Sequence, residues 1–227
     1  MELSTTADAA MPDAAGGAAF CSAAYWEQRY RMGGNSGAGS SGRLAAFKAG
    51  FLNALIRDNG ISAAIEFGCG DGGQLALLEV ADYVGLDVAP AAVARCRARF
   101  AGQHGRAFRL MAERAEVPAA ELALSLDVVY HLVEDAVFAE YMAALFAHSW
   151  RFVVVYASDV DATWPSRHVR HRRFSAHVAA HFPDWQLAAV VPNLYPYDPR
   201  RPEETSFAAF HVYRLPHELC RVTVPAG

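Results

Sequence analysis

The residues best suited to chemistry lie in a glycine-rich turn and at an aspartate further along the chain. Gly68, Gly70 and Gly73 have the spacing G-x-G-x-x-G, and Asp87 follows at the distance typical of nucleotide-binding turns. Glycines let the backbone bend tightly and approach a ligand. A carboxylate at Asp87 can accept hydrogen bonds from both hydroxyls of a ribose. The pattern therefore indicates a ligand that contains a nucleoside.

Glu66 discriminates between two kinds of nucleotide ligand. Gly68, Gly70 and Gly72 also give G-x-G-x-G, with Glu66 two residues before the first glycine. A carboxylate here repels a pyrophosphate, because like charges repel, but it attracts the ammonium or sulfonium group of S-adenosylmethionine. We therefore expect S-adenosylmethionine. The alternative is a nicotinamide-dependent oxidoreductase that uses the same turn.

These residues require an alternating framework to position them. Short apolar runs predict strands at 63–67, 83–86, 107–111, 122–126, 152–157, 187–191 and 207–213. Helical periodicity predicts helices at 44–56, from about Gln74, and at 91–100, 135–148 and 174–181. The alternation predicts one α/β domain with a doubly wound, mostly parallel sheet and helices on both faces.

Residues 1–60 differ in composition from this framework. Residues 1–20 are small and polar and are expected to form a disordered tail. Residues 21–60 are expected to form a helical segment, whose loop at 33–42 contains five glycines in ten residues. We interpret this loop as a lid, since glycines allow both hinge motion and close approach, although a flexible linker has the same composition. Residues 61–220 form the expected cofactor-binding domain.

Charge and cysteine content restrict the partners and the compartment. The 227 residues carry a net charge of -4, so no global basic field is present and no nucleic-acid partner is expected. The four cysteines form no C-x-x-C pair, which disfavours a zinc site or a disulfide framework. No apolar stretch reaches the ~20 residues of a membrane span. No basic residue precedes Arg29, so the basic first region of a secretory signal is not seen. We expect a cytoplasmic protein without membrane contact, and the sequence predicts no oligomeric state.

Three segments together resemble the class I methyltransferases. Residues 65–72 (IEFGCGDG) are similar to the first motif of that family, 84–90 (VGLDVAP) to the second, and 124–132 (LSLDVVYHL) to the motif after the fourth strand. The resemblance covers residues 60–157 well. It implies a seven-stranded sheet whose last strand is antiparallel and inserted between the two strands before it. It also implies an enzyme (EC 2.1.1.-) that uses S-adenosylmethionine and releases S-adenosylhomocysteine.

The resemblance implies roles for particular residues. The backbone at Gly68 and Gly70 contacts the methionine part of the cofactor, Glu66 orients water or the amino group, and Asp87 binds the ribose. Val88 packs on the adenine, and Glu113 accepts from its amino group, although a surface glutamate is as consistent with that position. Asp87 is alternatively a helix cap before Pro90. The expected cofactor contacts are Glu66, Gly68, Cys69, Gly70, Asp87, Val88, Glu113, Leu126 and Asp127.

Asp127 and His131 follow the fourth predicted strand and are the catalytic candidates. A hydroxyl acceptor benefits from losing its proton, and histidine titrates near working pH. We therefore expect His131 to act as the base, or else to pack as a structural histidine under the next helix. Asp127 either binds the cofactor amino group or orients His131. The expected reaction is O-methylation of a small molecule or of a sugar or glycan in biosynthesis, with N-methylation of a small molecule or protein as the alternative.

The densest basic run, at 167–173, indicates an anionic acceptor. Arginines bind phosphate or carboxylate, and the expected substrate contacts are Tyr130, His168, Arg170, His171 and Arg173. An ordinary solvated helix start is the competing interpretation. No acidic residue or cysteine joins His168, His171, His177 and His181 at a metal-binding spacing, so we expect no metal.

Overall fold

The computed structural model describes residues 20–224, so all but the last residue of the expected tail lies outside the described residues. Helix α1 (Ser22–Arg31) and helix α2 (Gly42–Asp58) precede the sheet. The loop between them contains a 3-10 turn at Ala38–Ser40. Helix α2 ends at the pair Asn59-Gly60, since Gly60 has a φ of 61° and the Asn59 side chain donates to the carbonyl of Leu55 at 2.8 Å.

Within the described residues, seven strands form one mixed sheet. The strands are β1 (Ala63–Phe67), β2 (Asp82–Asp87), β3 (Arg106–Leu110), β4 (Ala120–Leu126), β5 (Ser149–Ala157), β6 (Gln186–Pro192) and β7 (Ala209–Arg214). Their order is β3-β2-β1-β4-β5-β7-β6. The first five strands are parallel, and β7 lies antiparallel between β5 and β6. The predicted sheet is confirmed, including the position of its last strand.

The remaining helices are α3 (Pro90–Arg99), α4 (Asp135–Ala147) and α5 (Phe174–His181). The helix expected from about Gln74 is wrong, because only a 3-10 turn at Leu75–Leu77 forms there. Helix α2 packs at this position instead. Its Asn53 side chain donates to the carbonyl of Leu77 and accepts from the amide of Glu79, both at 2.9 Å, and so holds the segment non-helical.

Two apolar layers cover the two faces of the sheet. Strand β5 shows the division, since Phe152 and Val154 pack in one layer while Val153 and Val155 pack in the other. Helix α2 contributes Phe51, Leu52 and Leu55 to the first layer, and α4 contributes Met142, Leu145 and Phe146 to the second. The N-terminal segment therefore shares the core of the sheet. This packing fixes α2, and with it the preceding loop, against the strand ends.

No helix within residues 20–224 combines the length and the hydropathy needed to cross a bilayer.

Candidate active site

A cavity of about 280 Å³ lies beyond the carboxyl ends of β1, β2 and β4. The strand order reverses here, between β1 and β4, which is where open α/β sheets bind ligands. Helix α1 and the glycine-rich loop at 33–42 form the opposite wall. Eight of the nine expected cofactor contacts line the cavity: Glu66, Gly68, Cys69, Gly70, Asp87, Val88, Leu126 and Asp127.

The glycine turn after β1 requires glycine for two close approaches. Gly70 has a φ of +56°, and a Cβ there would lie 2.2 Å from the Ser36 hydroxyl and 2.8 Å from the Tyr30 hydroxyl. Gly68 has a φ of +82°, and its Cβ would meet the Val128 side chain at 2.5 Å. Any larger residue would therefore separate the turn from the loop and from the end of β4.

Asp87 ends β2 and is buried at the cavity wall. Its Oδ2 accepts from the amide of Gly70, and its Oδ1 from the amide of Ala89, each at 2.9 Å. Burial raises the pKa of the Asp87 carboxyl to about 6, while these backbone donors oppose the rise. Each oxygen can still accept a second hydrogen bond. The carboxylate thus joins the turn to the start of α3 and retains the capacity to bind a diol.

Glu66 is the second carboxylate in the cavity wall. It is 3% exposed, and the Tyr83 hydroxyl donates to its Oε2 at 2.5 Å. Burial raises the pKa of the Glu66 carboxyl to about 7, although the Tyr83 hydrogen bond and the nearby Lys48 charge lower it. A cation that enters the cavity would favour the ionised form of this group.

Asp127 directly follows β4 and has an unusual backbone. Its φ of 59° is the only positive value of a non-glycine residue in the described chain, a conformation that asparagine and aspartate tolerate best. The Lys48 ammonium lies 2.5 Å from Oδ2, and the Tyr130 hydroxyl donates to Oδ1 at 2.9 Å. The carboxylate therefore stands in one fixed orientation at the end of β4.

His131 borders the same end of the cavity. Its Nδ1 lies 2.9 Å from the carbonyl oxygen of His168. Because a carbonyl only accepts, Nδ1 carries the proton and Nε2 keeps its lone pair. The Trp26 and His168 rings pack on the imidazole at centroid distances of 4.9 and 5.4 Å. Burial lowers the pKa of His131 to about 4, so the ring is neutral at physiological pH.

The glycine-rich loop is docked on the glycine turn and on Asp127. The amide of Ser36 donates to Asp71 Oδ2 at 3.2 Å, and the Ser36 hydroxyl accepts from the amide of Asp71 at 3.1 Å. Gly39 lies so close to Asp127 that a Cβ would stand 2.6 Å from Oδ2. These contacts bring the loop over the same end of the cavity as His131.

Helix α1 also covers the cavity and reaches the segment after His131. The amide and hydroxyl of Ser22 donate to the Glu134 carboxylate at 2.9 and 2.6 Å. Val88, Met111 and Arg114 line the cavity beneath it. Glu113 is not brought into the wall, because its carboxylate accepts from the amide of Leu110 at 2.7 Å. Of this segment, Met111 and Arg114 line the cavity instead, and the adenine contact at Glu113 stays a prediction.

The basic run lines a separate, open groove of about 800 Å³. Arg170, His171 and Arg173 lie in its wall and none of them lines the cavity. The Arg170 guanidinium donates to the carbonyl of Val133 and pairs with Asp135, both at 3.0 Å. His171 is buried, with Nδ1 at 2.6 Å from the Ser158 hydroxyl and Nε2 without a partner.

The two other expected substrate contacts, Tyr130 and His168, lie next to the catalytic candidates Asp127 and His131. Tyr130 is buried and bonded to Asp127. The His168 ring stacks on Tyr25 at 4.7 Å and on His131.

Four wall or support residues were not predicted from the sequence: Tyr30, Ser36, Lys48 and Gln74. A signal existed for Lys48, which falls between Leu44 and Leu52 on the apolar stripe of α2. Ser36 and Tyr30 carry no such signal, since their contacts depend on how the loop folds back.

Comparison with known proteins identifies the class. A family model described as a methyltransferase domain matches residues 65–153. The structure of the N-methyltransferase NodS from Bradyrhizobium japonicum WM9, solved with S-adenosylhomocysteine, is similar with a TM-score of 0.63 and 15% identity, covering 86% of this chain and 99% of that one. No curated protein matches the sequence.

Other similar structures differ in their acceptors. The mitomycin 7-O-methyltransferase MmcR has a TM-score of 0.55 at 13% identity, covering 76% of this chain and 54% of that one. The small RNA methyltransferase HEN1 has a TM-score of 0.53 at 14% identity, covering 77% and 25%. At these identities the likeness establishes the fold and leaves the acceptor open.

The fold, the glycine turn and the family match define a Rossmann-like enzyme that transfers a methyl group. Residues 65–153 match the methyltransferase domain family, and the chain has the fold of class I S-adenosylmethionine-dependent methyltransferases. This confirms the expected family and cofactor over the nicotinamide alternative.

The wall chemistry fits S-adenosylmethionine. Glu66 and Asp127 suit its cationic groups, and Asp87 suits its ribose. Gln74 is 4% exposed and lines the cavity, and its Oε1 has no hydrogen-bond partner. A buried acceptor without a donor is costly, so a ligand ammonium or hydroxyl would satisfy it.

Proposed function

We propose that this methyltransferase methylates a hydroxyl oxygen of a small molecule, and that the acceptor is a sugar or glycan with an anionic group. The observation that carries the proposal is the geometry of His131. Its ring borders the cavity next to Asp127, with the Nδ1 proton held by the His168 carbonyl at 2.9 Å. Nε2 is thereby the atom that can receive a proton.

The bound cofactor supplies an electrophilic methyl group on a sulfonium centre. The residues of this chain align the acceptor and exclude water. As the acceptor oxygen gains the methyl group, its proton passes to His131 Nε2, and Asp127 stabilises the resulting imidazolium. A general base of this kind contributes about 10²- to 10⁴-fold to the rate.

The second groove supports an anionic and extended acceptor. Leu132 and Glu134 line the cavity, whereas Val133 and Asp135 line the groove, so one short segment separates the two. An acceptor that crosses this segment would present a hydroxyl to His131 while its anionic group meets Arg173, whose side chain is exposed in the groove. Trp164 adds an aromatic face to the groove wall, which suits a sugar ring.

In this proposal the glycine-rich loop at 33–42 is the lid, together with α1 before it. The loop is held by Ser36 on Asp71, and α1 by Ser22 on Glu134. Arg95 of α3 adds hydrogen bonds to two carbonyls of this segment, but α2 stays in the core, so the loop and α1 can open without unfolding the sheet. Opening would admit the cofactor, and closure would exclude water from the transfer end.

Amine methylation is the second candidate, favoured by one observation. Glu66 and Asp127 place two carboxylates in the wall near the transfer end, with Lys48 as one nearby cation. An ammonium acceptor would be attracted there. On this alternative, His131 would still receive the proton that the amine loses.

The test is transfer of a labelled methyl group from S-adenosylmethionine to matched acceptors. A sugar phosphate, its neutral parent sugar and the corresponding amino sugar are compared for each of several sugars. The proposal expects label on a hydroxyl, favoured by the phosphate, and about 10²-fold less label with His131→Ala. His217→Ala is the control, because that side chain is 69% exposed and paired with Glu218.

Label on the amine would select the second candidate. Full activity of His131→Ala would remove His131 as the base. Equal label on the neutral sugar and the phosphate would remove the anionic acceptor.

A further inference from the structure

We infer that Lys48 and Asp127 make the methyl-transfer end of the cavity selective for a positive charge, so that S-adenosylmethionine binds more tightly than S-adenosylhomocysteine. Lys48 acts as a positioning residue, and Asp127 faces the group that carries the transferred methyl. The inference rests on the cavity being the cofactor site, as proposed above.

Lys48 is buried and forms an ion pair with Asp127. Its side chain is 0% exposed, and that of Asp127 is 11% exposed. Nζ lies 2.5 Å from Asp127 Oδ2 and 5.3 Å from the centre of the Tyr156 ring. Burying a lysine without a partner is strongly unfavourable. The ion pair therefore compensates the buried ammonium and holds Oδ2 of Asp127 at a fixed place in the cavity wall.

A hydrogen bond, the backbone conformation and a close glycine fix where the Asp127 carboxylate points. The Tyr130 hydroxyl donates to Oδ1 at 2.9 Å, and the backbone at Asp127 is held at a φ of 59°. Gly39 packs against the same carboxylate, because a Cβ at Gly39 would lie 2.6 Å from Oδ2. Strain of this kind persists only where the surroundings over-determine it, and it is common at functional sites.

The charges around Asp127 leave this end of the cavity negative. The titratable groups that act on it are Lys48 from α2, Glu66 from β1, Tyr130 and His131 from the turn after β4, and Tyr156 from β5. Lys48 balances one carboxylate, and Glu66 when ionised adds a second negative charge. A cation is therefore favoured at this end, and the preference is lost when transfer leaves a neutral thioether.

The test measures binding, so it needs no acceptor. Isothermal titration compares S-adenosylmethionine, S-adenosylhomocysteine and sinefungin, an analogue in which a carbon bearing an amine replaces the methylated sulfonium. For Asp127→Asn we expect about tenfold or greater loss of affinity for the two ligands charged at that position. Affinity for S-adenosylhomocysteine should change less than threefold.

Equal losses for all three ligands would overturn the inference, because Asp127 would then contact a part that they share. So would unchanged affinity for all three. Failure of the wild-type protein to bind any of them would instead refute the cofactor site itself.

The role of Lys48 is tested by Lys48→Met and by the double variant with Asp127→Asn. We expect Lys48→Met to lose the preference for charged ligands, and the double variant to regain thermal stability without regaining the preference. The double variant also answers the question if Lys48→Met does not fold. If Lys48→Met has a lower Tm but keeps the wild-type preference for charged ligands, Lys48 has only a structural role. The same conclusion follows if the double variant keeps that preference.

The matched control is Glu121→Gln. Glu121 pairs with Arg151 at 2.7 Å, at the amino end of β4 away from the cavity. Its loss should lower stability without changing the ratio of the three affinities. A changed ratio in this control would show that the ratio follows general destabilisation, and would overturn the inference.

Discussion

Lowering the pH from 8 to 5 should weaken binding of S-adenosylhomocysteine by removing two charges from the cavity wall. The pKa of Glu66 is raised to about 7 and that of Asp87 to about 6, in both cases mainly by burial. A carboxyl with a raised pKa is ionised above that value and gains its proton as the pH falls through it. Binding of an ammonium by Glu66 and of a diol by Asp87 both favour the ionised form.

The size of the effect follows from these two values. If binding requires the ionised form, each group lowers the affinity about tenfold for each pH unit below its pKa. At pH 5 this gives about 100-fold from Glu66 and about tenfold from Asp87 relative to pH 8. The dissociation constant should therefore rise by up to about 1,000-fold, and the rise due to Glu66 should begin near its pKa of about 7.

Isothermal titration of S-adenosylhomocysteine across this range, in buffers of different ionisation enthalpy, measures both the affinity and the protons released. Glu66→Gln should remove the upper step and leave the lower one near pH 6. A dissociation constant that is flat from pH 5 to 8 would show that neither carboxyl binds the ligand in its ionised form, and a Glu66→Gln profile identical to the wild type would exclude Glu66.

Three other substitutions test separate parts of the site. Gly39→Ala places a Cβ 2.6 Å from Asp127 Oδ2. The overpacking costs about 1–3 kcal/mol and should weaken S-adenosylhomocysteine binding and speed proteolysis of the loop. Unchanged values for both would contradict docking of the loop on Asp127. Asp87→Ala should weaken the same binding by about 1–3 kcal/mol, measured by calorimetry, and no change would remove the ribose assignment. Arg170→Ala with Arg173→Ala should raise the acceptor KM more than the cofactor KM, whereas equal changes would indicate damage to the fold.

The sheet was predictable from the sequence because each strand is a short apolar run with a turn after it. Strand β1 was predicted with its observed bounds, Ala63–Phe67, and β4 differed only at its start. The alternation of strands and helices then determines which strand ends meet. Glu66 and Asp87 could be assigned to one edge for that reason, without knowledge of any side-chain contact.

The prediction of a helix from Gln74 was wrong because the spacing of apolar residues in one segment does not show which other element packs against it. Leu75 and Leu78 have helical spacing, but they are buried against α2, which already covers that face of the sheet. The hydrogen bonds from Asn53 that hold the segment come from another element. Tertiary contacts of this kind override propensity.

The cavity walls from the N-terminal segment were missed for the same reason. Composition identifies a glycine-rich loop, but not that Ser36 would bond Asp71 or that Gly39 would meet Asp127. Likewise, the basic run was read as a patch of charge, whereas Arg172 donates to the Val133 carbonyl and pairs with Asp135. Charge is visible in a sequence, but the partner of each charge is not.

Calorimetric titration with S-adenosylhomocysteine, with NAD as the parallel ligand, tests whether the cavity is the site of S-adenosylmethionine. We expect one binding site for S-adenosylhomocysteine, lost or strongly weakened in Asp87→Ala, and no heat of binding with NAD. Binding of NAD without binding of S-adenosylhomocysteine would contradict the assignment of the cofactor and of Glu66.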